Sequence, residues 1–466
     1  MLLAGTTVGR VTRDARQRLR FTYDSTWRVA DHAIPLSLSM PLAAAEHDHE
    51  RIEAFLWGLL PDNPHVLERW SRQFQVSARN PFALLTAVGE DCAGAVQFVV
   101  PERVGRLEGS GPLDVDWLTE HQVADRLRAL RADHAAWRLS SDAGQFSLAG
   151  AQAKTALFFG GERWGIPAGR TPTTHILKPP IAGLDGHAEN EHFCLALARE
   201  LGLPTVTSRV TRFEGEVAVV LERYDRYHTA TLAAAAAAQA AASAAQVGLE
   251  AAGVRAAAAA AASRAAELAI LAETQPVLRL HQEDLCQALG VLPLRKYQNE
   301  GGPTPQMIVE LLRTHSARPV EDVATFLDAL IFNWLIAGTD GHAKNYSVLF
   351  MARSQVRLAP LYDLGSALPY SDMDQRRLTL AMKTGSTYRV REVAGRDYEK
   401  LAATLGLDPK LVVLRAEELA VRLRERVEVV RDREQHAGLA HPLIDRLVNR
   451  LKEHAERCLK MLGKTQ

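Results

Sequence analysis

The stretch Thr339-Asp340-Gly341-His342-Ala343-Lys344-Asn345 sets a carboxylate and a carboxamide five residues apart, directly after an apolar helical segment. In phosphoryl transfer such a pair divides the work. The carboxylate takes the proton of the attacking hydroxyl, and the carboxamide helps to bind a Mg²⁺ that carries the phosphates. A hairpin pattern follows: Tyr346–Phe350, a turn through Arg353-Ser354, then Val356–Ala359. It delivers Leu361-Tyr362-Asp363-Leu364-Gly365 and with it a second acidic side chain. Mg²⁺ prefers hard oxygens, one or two carboxylates completed by phosphate and water. Asn345 and Asp363 suit that role, while Asp340 must stay free to face an acceptor hydroxyl. His342 and Lys344 lie between them, where either could neutralise phosphate charge. Taken singly, Asp and Asn are ordinary cap and turn residues; the ordered set carries the reading.

Base, metal carboxamide, hairpin and metal carboxylate, in that order, follow the catalytic loop and Asp-Phe-Gly segment of protein kinases. That chemistry also needs a phosphate-binding lysine on a β lobe. Lys178 ends the apolar strand Thr174–Lys178 and precedes Pro179-Pro180, a fixed base from which its ammonium can reach α- and β-phosphates. The candidate phosphate loop is Phe146–Lys154, FSLAGAQAK. It has one glycine, Gly150, flanked by small alanines that let backbone N–H groups approach phosphates. Glu189 and Glu191 open the next helix. Carboxylates there are ordinary partners of the helix dipole, and that reading is preferred to a pairing with Lys178.

Lys154–Phe159 and Trp164–Pro167 flank Gly160-Gly161 as a hairpin, and Arg209–Phe213 and Glu216–Glu222 form another around Glu214-Gly215. A helix over Glu191–Leu201 lies between. This strand, strand, helix, strand, strand series is what a nucleotide-clamping β lobe needs. Upstream, Arg18–Tyr23, Ile34–Pro41 and Gly94–Val100 read as strands, and Phe55–Leu60 and Val66–Phe74 as helices. Downstream the chain is strongly helical. Val323, Phe326, Leu327, Leu330, Ile331, Trp334 and Leu335 line one helix face that leads to the Asp340 loop. Between residues 230 and 272, 25 of 43 residues are Ala, the best helix former, with few large apolar groups to pack. This segment is expected to project as a helical arm or hairpin.

The 466 residues suggest several domains, and 47% hydrophobic with 24% charged residues is a globular balance. Lys+Arg equals Asp+Glu at 55 each, which argues against a protein that coats nucleic acid by bulk charge. Four widely spaced cysteines without a CxxC pair argue against a zinc ribbon or disulfide scaffold and favour a reducing, cytoplasmic home. No leader-like apolar core opens the chain, and its Ala-rich uncharged stretch has little drive to enter lipid, so no membrane association is expected.

The sequence resembles the HipA-type serine/threonine kinase toxins of bacterial type II toxin–antitoxin systems. The resemblance rests on FSLAGAQAKTAL (146–157), THILKPP (174–180), ENEHFCLALARELGLP (189–204), LERYDR (221–226), HQEDLCQALG (281–290), KYQNEGGP (296–303), TDGHAKN (339–345) and APLYDLGSALPY (359–370). IPLSLSMPL (34–42), GLLPDN (58–63) and GEDCAGAVQF (89–98) match the family's N-terminal module. It covers nearly the whole chain except the Ala-rich segment. It implies an α+β, protein-kinase-like two-lobed fold with an N-terminal α/β module (residues 1–105), a kinase N-lobe (115–228), the Ala-rich helical insertion (229–275) and a helical C-lobe (276–466). By the same resemblance ATP and Mg²⁺ are used, Asp340 is the base, and Asn345 and Asp363 are metal ligands. Ala149, Gly150, Ala151, Gln152, Ala153, Lys154, Lys178, His342, Ala343, Lys344, Asn345 and Tyr362 then contact the nucleotide, with Glu222, Arg223 and Tyr224 as the adenine-facing hinge. Ser147 corresponds to an autophosphorylation site whose modification ejects the phosphate loop. The implied partners are a helix-turn-helix antitoxin, operator DNA mainly through that antitoxin, and a protein substrate such as an aminoacyl-tRNA synthetase. Many relatives carry a carboxylate where this chain has Ala153, and relatives run directly from the hinge to the HQED stretch. A corepressor without kinase activity and a small-molecule phosphotransferase are the alternatives, and the intact Asp340, Asn345, Asp363 and Lys178 weigh against the first.

Overall fold

The computed structural model describes residues 1–108, 113–137, 146–245, 252–351 and 355–463. At its centre is an antiparallel six-stranded sheet, ordered Ser208–Phe213, Glu216–Glu222, His175–Lys178, Thr155–Gly160, Arg163–Pro167, Val115–Leu118. Lys178 lies opposite Val219 at the end of the third strand, and Leu177 opposite Thr155 sets the register to the phosphate loop. Thr119 caps the helix Glu120–Ala132 in a reciprocal capping box with Gln122. Buried Val123, Leu127 and Leu130 of that helix join one face of the sheet, including Leu157, Leu177 and Phe213.

The same core continues into the N-terminal module, through Phe21, Ile52, Phe55, Leu56, Leu84 and Val88. This module has two small three-stranded sheets and the helices His49–Gly58, Pro64–Phe74 and Pro81–Val88. Asn63 and Asn80 cap the last two, each followed by Pro at the first helical position. The strand expected over Gly94–Val100 is confined to Val96–Gln97. Ile34–Pro41 is not a strand. Its alternation arises because the segment runs between two surfaces: Leu36 is buried in the module core, and Leu38 packs against the C-lobe core. The Ser37 and Ser39 hydroxyls donate to the Gln287 carbonyl at 3.2 and 3.0 Å.

The second core belongs to the helical C-lobe: Pro305–His315, Pro319–Leu335, Gly395–Leu405, Pro409–His436 and Pro442–Leu462. The apolar face read from the sequence is buried, with Trp334 and Phe326 among the largest enclosed side chains. The N-lobe helix His187–Glu200 packs on this core too. Strands His281–Asp284, Ser347–Met351 and Gln355–Leu358 form the hairpin region between the two acidic loops; its turn at Arg353-Ser354 lies outside the described residues. The Ala-rich segment forms two helices, Thr229–Ala245 and Ala252–Thr274, that pack along one another. Their bases are joined by the antiparallel pair Arg226–His228 and Val277–Arg279. No helix among the described residues is long and apolar enough to cross a membrane. The four cysteines are buried and free.

Candidate active site

A cleft of about 580 Å³ opens between the lobes. Its lining brings together the phosphate loop 149–154, Lys178, the hinge residues Glu222, Arg223 and Tyr224, the loop residues Asp340, His342, Lys344 and Asn345, and Tyr362 and Asp363. Ala343 is buried next to this wall.

Lys178 is held between two carboxylates. Its Nζ donates to Glu191 at 2.8 Å and to Asp363, with the Lys178 and Glu191 side chains 5% and 4% exposed. The expectation for Glu191 is thereby corrected. The helix starts at His187, so Glu191 lies beyond the first turn and faces inward instead of capping the dipole. Burial works against the Lys178 charge, but Asp363 and Glu191 outweigh it and hold the ammonium protonated. Burial likewise opposes the Asp363 charge, and Lys178 and Lys154 overcome it, holding that carboxyl below its usual range. Glu191 is the member pushed upward, because burial outweighs its lysine neighbour. Asp363 adopts a left-handed backbone, φ 53°, which is strained for a residue with a Cβ.

The phosphate loop folds over its own lysine. Lys154 Nζ donates to the Ala149 carbonyl at 2.7 Å, and burial, reinforced by the Lys178 charge, pushes this ammonium down to about 8. Gly150 has φ 102°, and a Cβ there would fall 2.5 Å from Lys154 Nζ, so glycine is required. Gln152 Nε2 donates to the Pro179 carbonyl at 3.3 Å, and Ala153 is buried. Ser147 is fully buried; its hydroxyl donates to the Leu59 carbonyl at 2.7 Å and its N–H to the Asp91 carbonyl at 2.9 Å.

Across the cleft, the Asp340 side chain is largely exposed, and its Oδ1 accepts from the Tyr297 hydroxyl at 2.6 Å. Asn345 Nδ2 donates to the Asp340 carbonyl at 2.6 Å, which turns its amide oxygen the other way. Gly341 allows this loop to approach Asn333, since a Cβ there would meet Asn333 Nδ2 at 2.9 Å. Burial pushes the His342 imidazole below its ordinary range, which disfavours its charged form. Lys344 is already paired, at 2.6 Å, with Asp62 of the N-terminal module. At the hinge, Tyr224 stacks on Tyr362 with ring centres 5.7 Å apart, and Glu222 is exposed. The Arg223 guanidinium points away, into a buried network with Asp225, Thr173, Asp91 and the Cys92 carbonyl, so only its backbone faces the hinge. Sequence reasoning missed Asp62, Lys296 and Tyr297. Their signals were the PDN and KYQN runs, which mark turns without saying where the side chains go.

The donor set suits Mg²⁺. No group of three or more His, Cys, Asp or Glu side chains able to hold a metal exists among the described residues. Mg²⁺ with a triphosphate does not require one, and the part-buried Asp363 carboxylate with the Asn345 carboxamide oxygen, both lining the cleft, would be sufficient to hold it.

Two lobes with a lysine on the β lobe and acidic loops on the helical lobe make a protein-kinase-like fold. A family model described as the HipA-like C-terminal domain matches residues 146–428, and one described as the HipA N-terminal domain matches residues 1–99. The chain belongs to the HipA-like family. It is 35% identical over 409 residues to a putative kinase of Sinorhizobium fredii, covering 88% of this chain and 86% of that one. It is 26% identical over 426 residues to the serine/threonine-protein kinase toxin HipA of Shewanella oneidensis, covering 88% and 83%. A chain from the Shewanella oneidensis complex of HipA, HipB and operator DNA shares the fold, with a TM-score of 0.74 at 24% identity over 98% of this chain and 96% of that one.

Proposed function

We propose that this chain is an ATP- and Mg²⁺-dependent serine/threonine protein kinase acting as the toxin of a toxin–antitoxin pair. The observation that carries this is the buried Lys178, shared between Glu191 and Asp363 in the cleft that also holds Asp340 and Asn345. Lys178 and the backbone of 149–154 bind the donor phosphates. Asn345 and Asp363 hold the metal, which supplies charge neutralisation at the phosphates. Tyr224, Tyr362 and the backbone of 222–224 enclose the base. Asp340, exposed at the cleft mouth, takes the proton of the acceptor hydroxyl, Oγ attacks the γ-phosphorus, and ADP leaves. The exposure of Asp340 suits a large acceptor such as a protein better than an enclosed small molecule.

Ser147 acts as an internal acceptor only after the phosphate loop leaves its seat, because its hydroxyl is enclosed and bonded to Leu59. By family likeness the partners are a helix-turn-helix antitoxin and, through it, operator DNA. The substrate is a protein of translation such as an aminoacyl-tRNA synthetase, and the site of action is the cytoplasm. The test is phosphate incorporation from ATP with and without Mg²⁺, by mass spectrometry on purified protein, followed by a phosphoproteome after induction. No ATP-dependent phosphate on any protein would refute the reading.

A further inference from the structure

Asp62 belongs to the N-terminal module, yet its carboxylate lies in the cleft. It follows the helix His49–Gly58, in the turn Pro61-Asp62-Asn63. This turn holds the phosphate loop. Asp62 N donates to the Gly150 carbonyl at 3.0 Å, and Asn63 Nδ2 to the Ala151 carbonyl at 3.4 Å. Its side chain holds the opposite wall. Oδ1 accepts from Lys344 Nζ at 2.6 Å and Oδ2 from Lys296 Nζ at 3.0 Å. The Lys344 and Asp62 side chains are 3% and 10% exposed, so this contact is shielded from water. A buried ammonium left without its carboxylate is strongly unfavourable.

The two lysines bracket the candidate catalytic loop. Lys344 is within it. The Lys296 carbonyl accepts from Ala343 N at 3.3 Å, and the next residue, Tyr297, bonds Asp340. One carboxylate therefore fixes the loop at two points, on the same turn whose backbone fixes the phosphate loop.

We propose that Asp62 is a positioning residue for phosphoryl transfer, supplied by the N-terminal module, which keeps the catalytic loop in register with the phosphate loop by holding Lys344 and Lys296. The inference rests on the cleft being a phosphotransferase site. The N-terminal module then helps to position the catalytic loop.

The test uses the full chain with Asp62→Asn, Asp62→Glu and Lys296→Gln. Phosphate incorporation from MgATP, measured over a range of ATP concentrations, separates the limiting rate from the half-saturating ATP. Asp62→Asn keeps the backbone contacts to the phosphate loop, so half-saturation should change by less than about threefold. The limiting rate should fall by about tenfold or more, as expected for a loop displaced by a fraction of an ångström. Asp62→Glu should recover much of that rate. The second readout does not depend on activity. Labelling of Lys344 and Lys296 with an amine-directed reagent, quantified by mass spectrometry on folded protein, should rise several-fold in Asp62→Asn and return in Asp62→Glu. Lys296→Gln leaves Asp62 paired with Lys344 and serves if Asp62→Asn does not fold; it should lower the limiting rate at unchanged half-saturation. An unchanged rate, unchanged labelling, or labelling that rises equally at Lys154 and Lys178 overturns the proposal. If the wild type incorporates no phosphate, the phosphotransferase reading fails, and the labelling still decides whether Asp62 holds the two lysines.

Discussion

Glu191→Gln should weaken the fold modestly and the site severely. The Glu191 and Lys178 side chains are 4% and 5% exposed and 2.8 Å apart, so water screens them little. At an effective dielectric of about 20, the attraction of unit charges at that distance is ~6 kcal/mol. Desolvation of both groups cancels most of it. Glutamine keeps the volume and leaves an oxygen for Lys178 Nζ. The substitution therefore exchanges a charge-assisted hydrogen bond of about 1.5–3 kcal/mol for a neutral one of about 0.5–1.5 kcal/mol. The expected loss in unfolding free energy is ~1–2 kcal/mol, read from urea denaturation. Lys178 is then left with a single carboxylate partner, Asp363, and is drawn toward it. A shift of about 1 Å in a phosphate-binding group typically costs ~10²-fold in rate, so phosphate incorporation should fall far more than stability suggests. If Glu191→Gln unfolds like the wild type and transfers phosphate within about twofold of it, the Glu191 contact does not set the position of Lys178 and this argument is wrong.

Asp340→Asn is nearly isosteric and can still accept the Tyr297 hydrogen bond, so fold and ATP binding should persist while transfer falls by ~10²–10⁴; phosphate on Ser147 at the wild-type rate, with no other kinase present, would remove Asp340 from the role of base. Asp363→Asn should abolish transfer, and ATP affinity should drop in excess chelator because the triphosphate then faces Asp363 and Asp340 uncompensated; an affinity indifferent to chelation would contradict the metal assignment. Removal of Ala233–Ala266 should leave a soluble, ATP-binding protein, since the strands at its base remain paired and closing the shortened loop depends weakly on length; loss of both properties would make the arm part of the core. Burial pushes Glu283 up to about 8 from 4.5, so the folded state binds its proton more tightly, and its contribution to stability, complete below pH 4.5, is lost as pH rises toward 8. Glu283→Gln, uncharged throughout, should unfold with a smaller loss of stability than the wild type between about pH 5 and pH 8, by denaturant midpoints at each pH.

The candidate-site residues that lie within one contiguous segment were legible before the fold was known. Asp340, Asn345 and Asp363 are carried by a helix, a hairpin and their loops, and local periodicity places all of these. Lys178 was legible for the same reason, as the end of an apolar strand stopped by two prolines. Glu191 was misjudged because its role depends on where the helix begins. Counted from His187 it is an inward-facing residue of the second turn; counted from itself it is a cap. Asp62 was out of reach because the sequence shows that a helix stops at Pro61-Asp62-Asn63, not which of two distant lysines its carboxylate meets. Ile34–Pro41 misled in the opposite sense. The alternating apolar residues are packed, but Leu36 and Leu38 pack against two cores of different lobes instead of one sheet face.

The hinge shows why the Ala-rich arm can lie so close to the cleft without breaking it. Arg226 and Arg279 are directly paired across the first register position of the strands at the arm's base. Two arginines at that spacing would repel each other if nothing lay between them. Asp91 of the N-terminal module accepts from both, at 2.9 and 3.2 Å, and Asp225 takes Arg223 and Arg226, at 2.8 and 3.0 Å. Burial opposes the Asp91 charge, but Arg226, Arg223 and Arg279 more than offset it and keep the carboxyl ionised. The three cations and two anions form a buried knot behind the hinge backbone, and its members come from the module, the hinge and both feet of the arm. No member of the knot lies within the arm between residues 229 and 275. Neutralising Asp91 instead would leave Arg279 without its carboxylate in the knot and Arg223 and Arg226 sharing Asp225 alone, the costly outcome for buried charges.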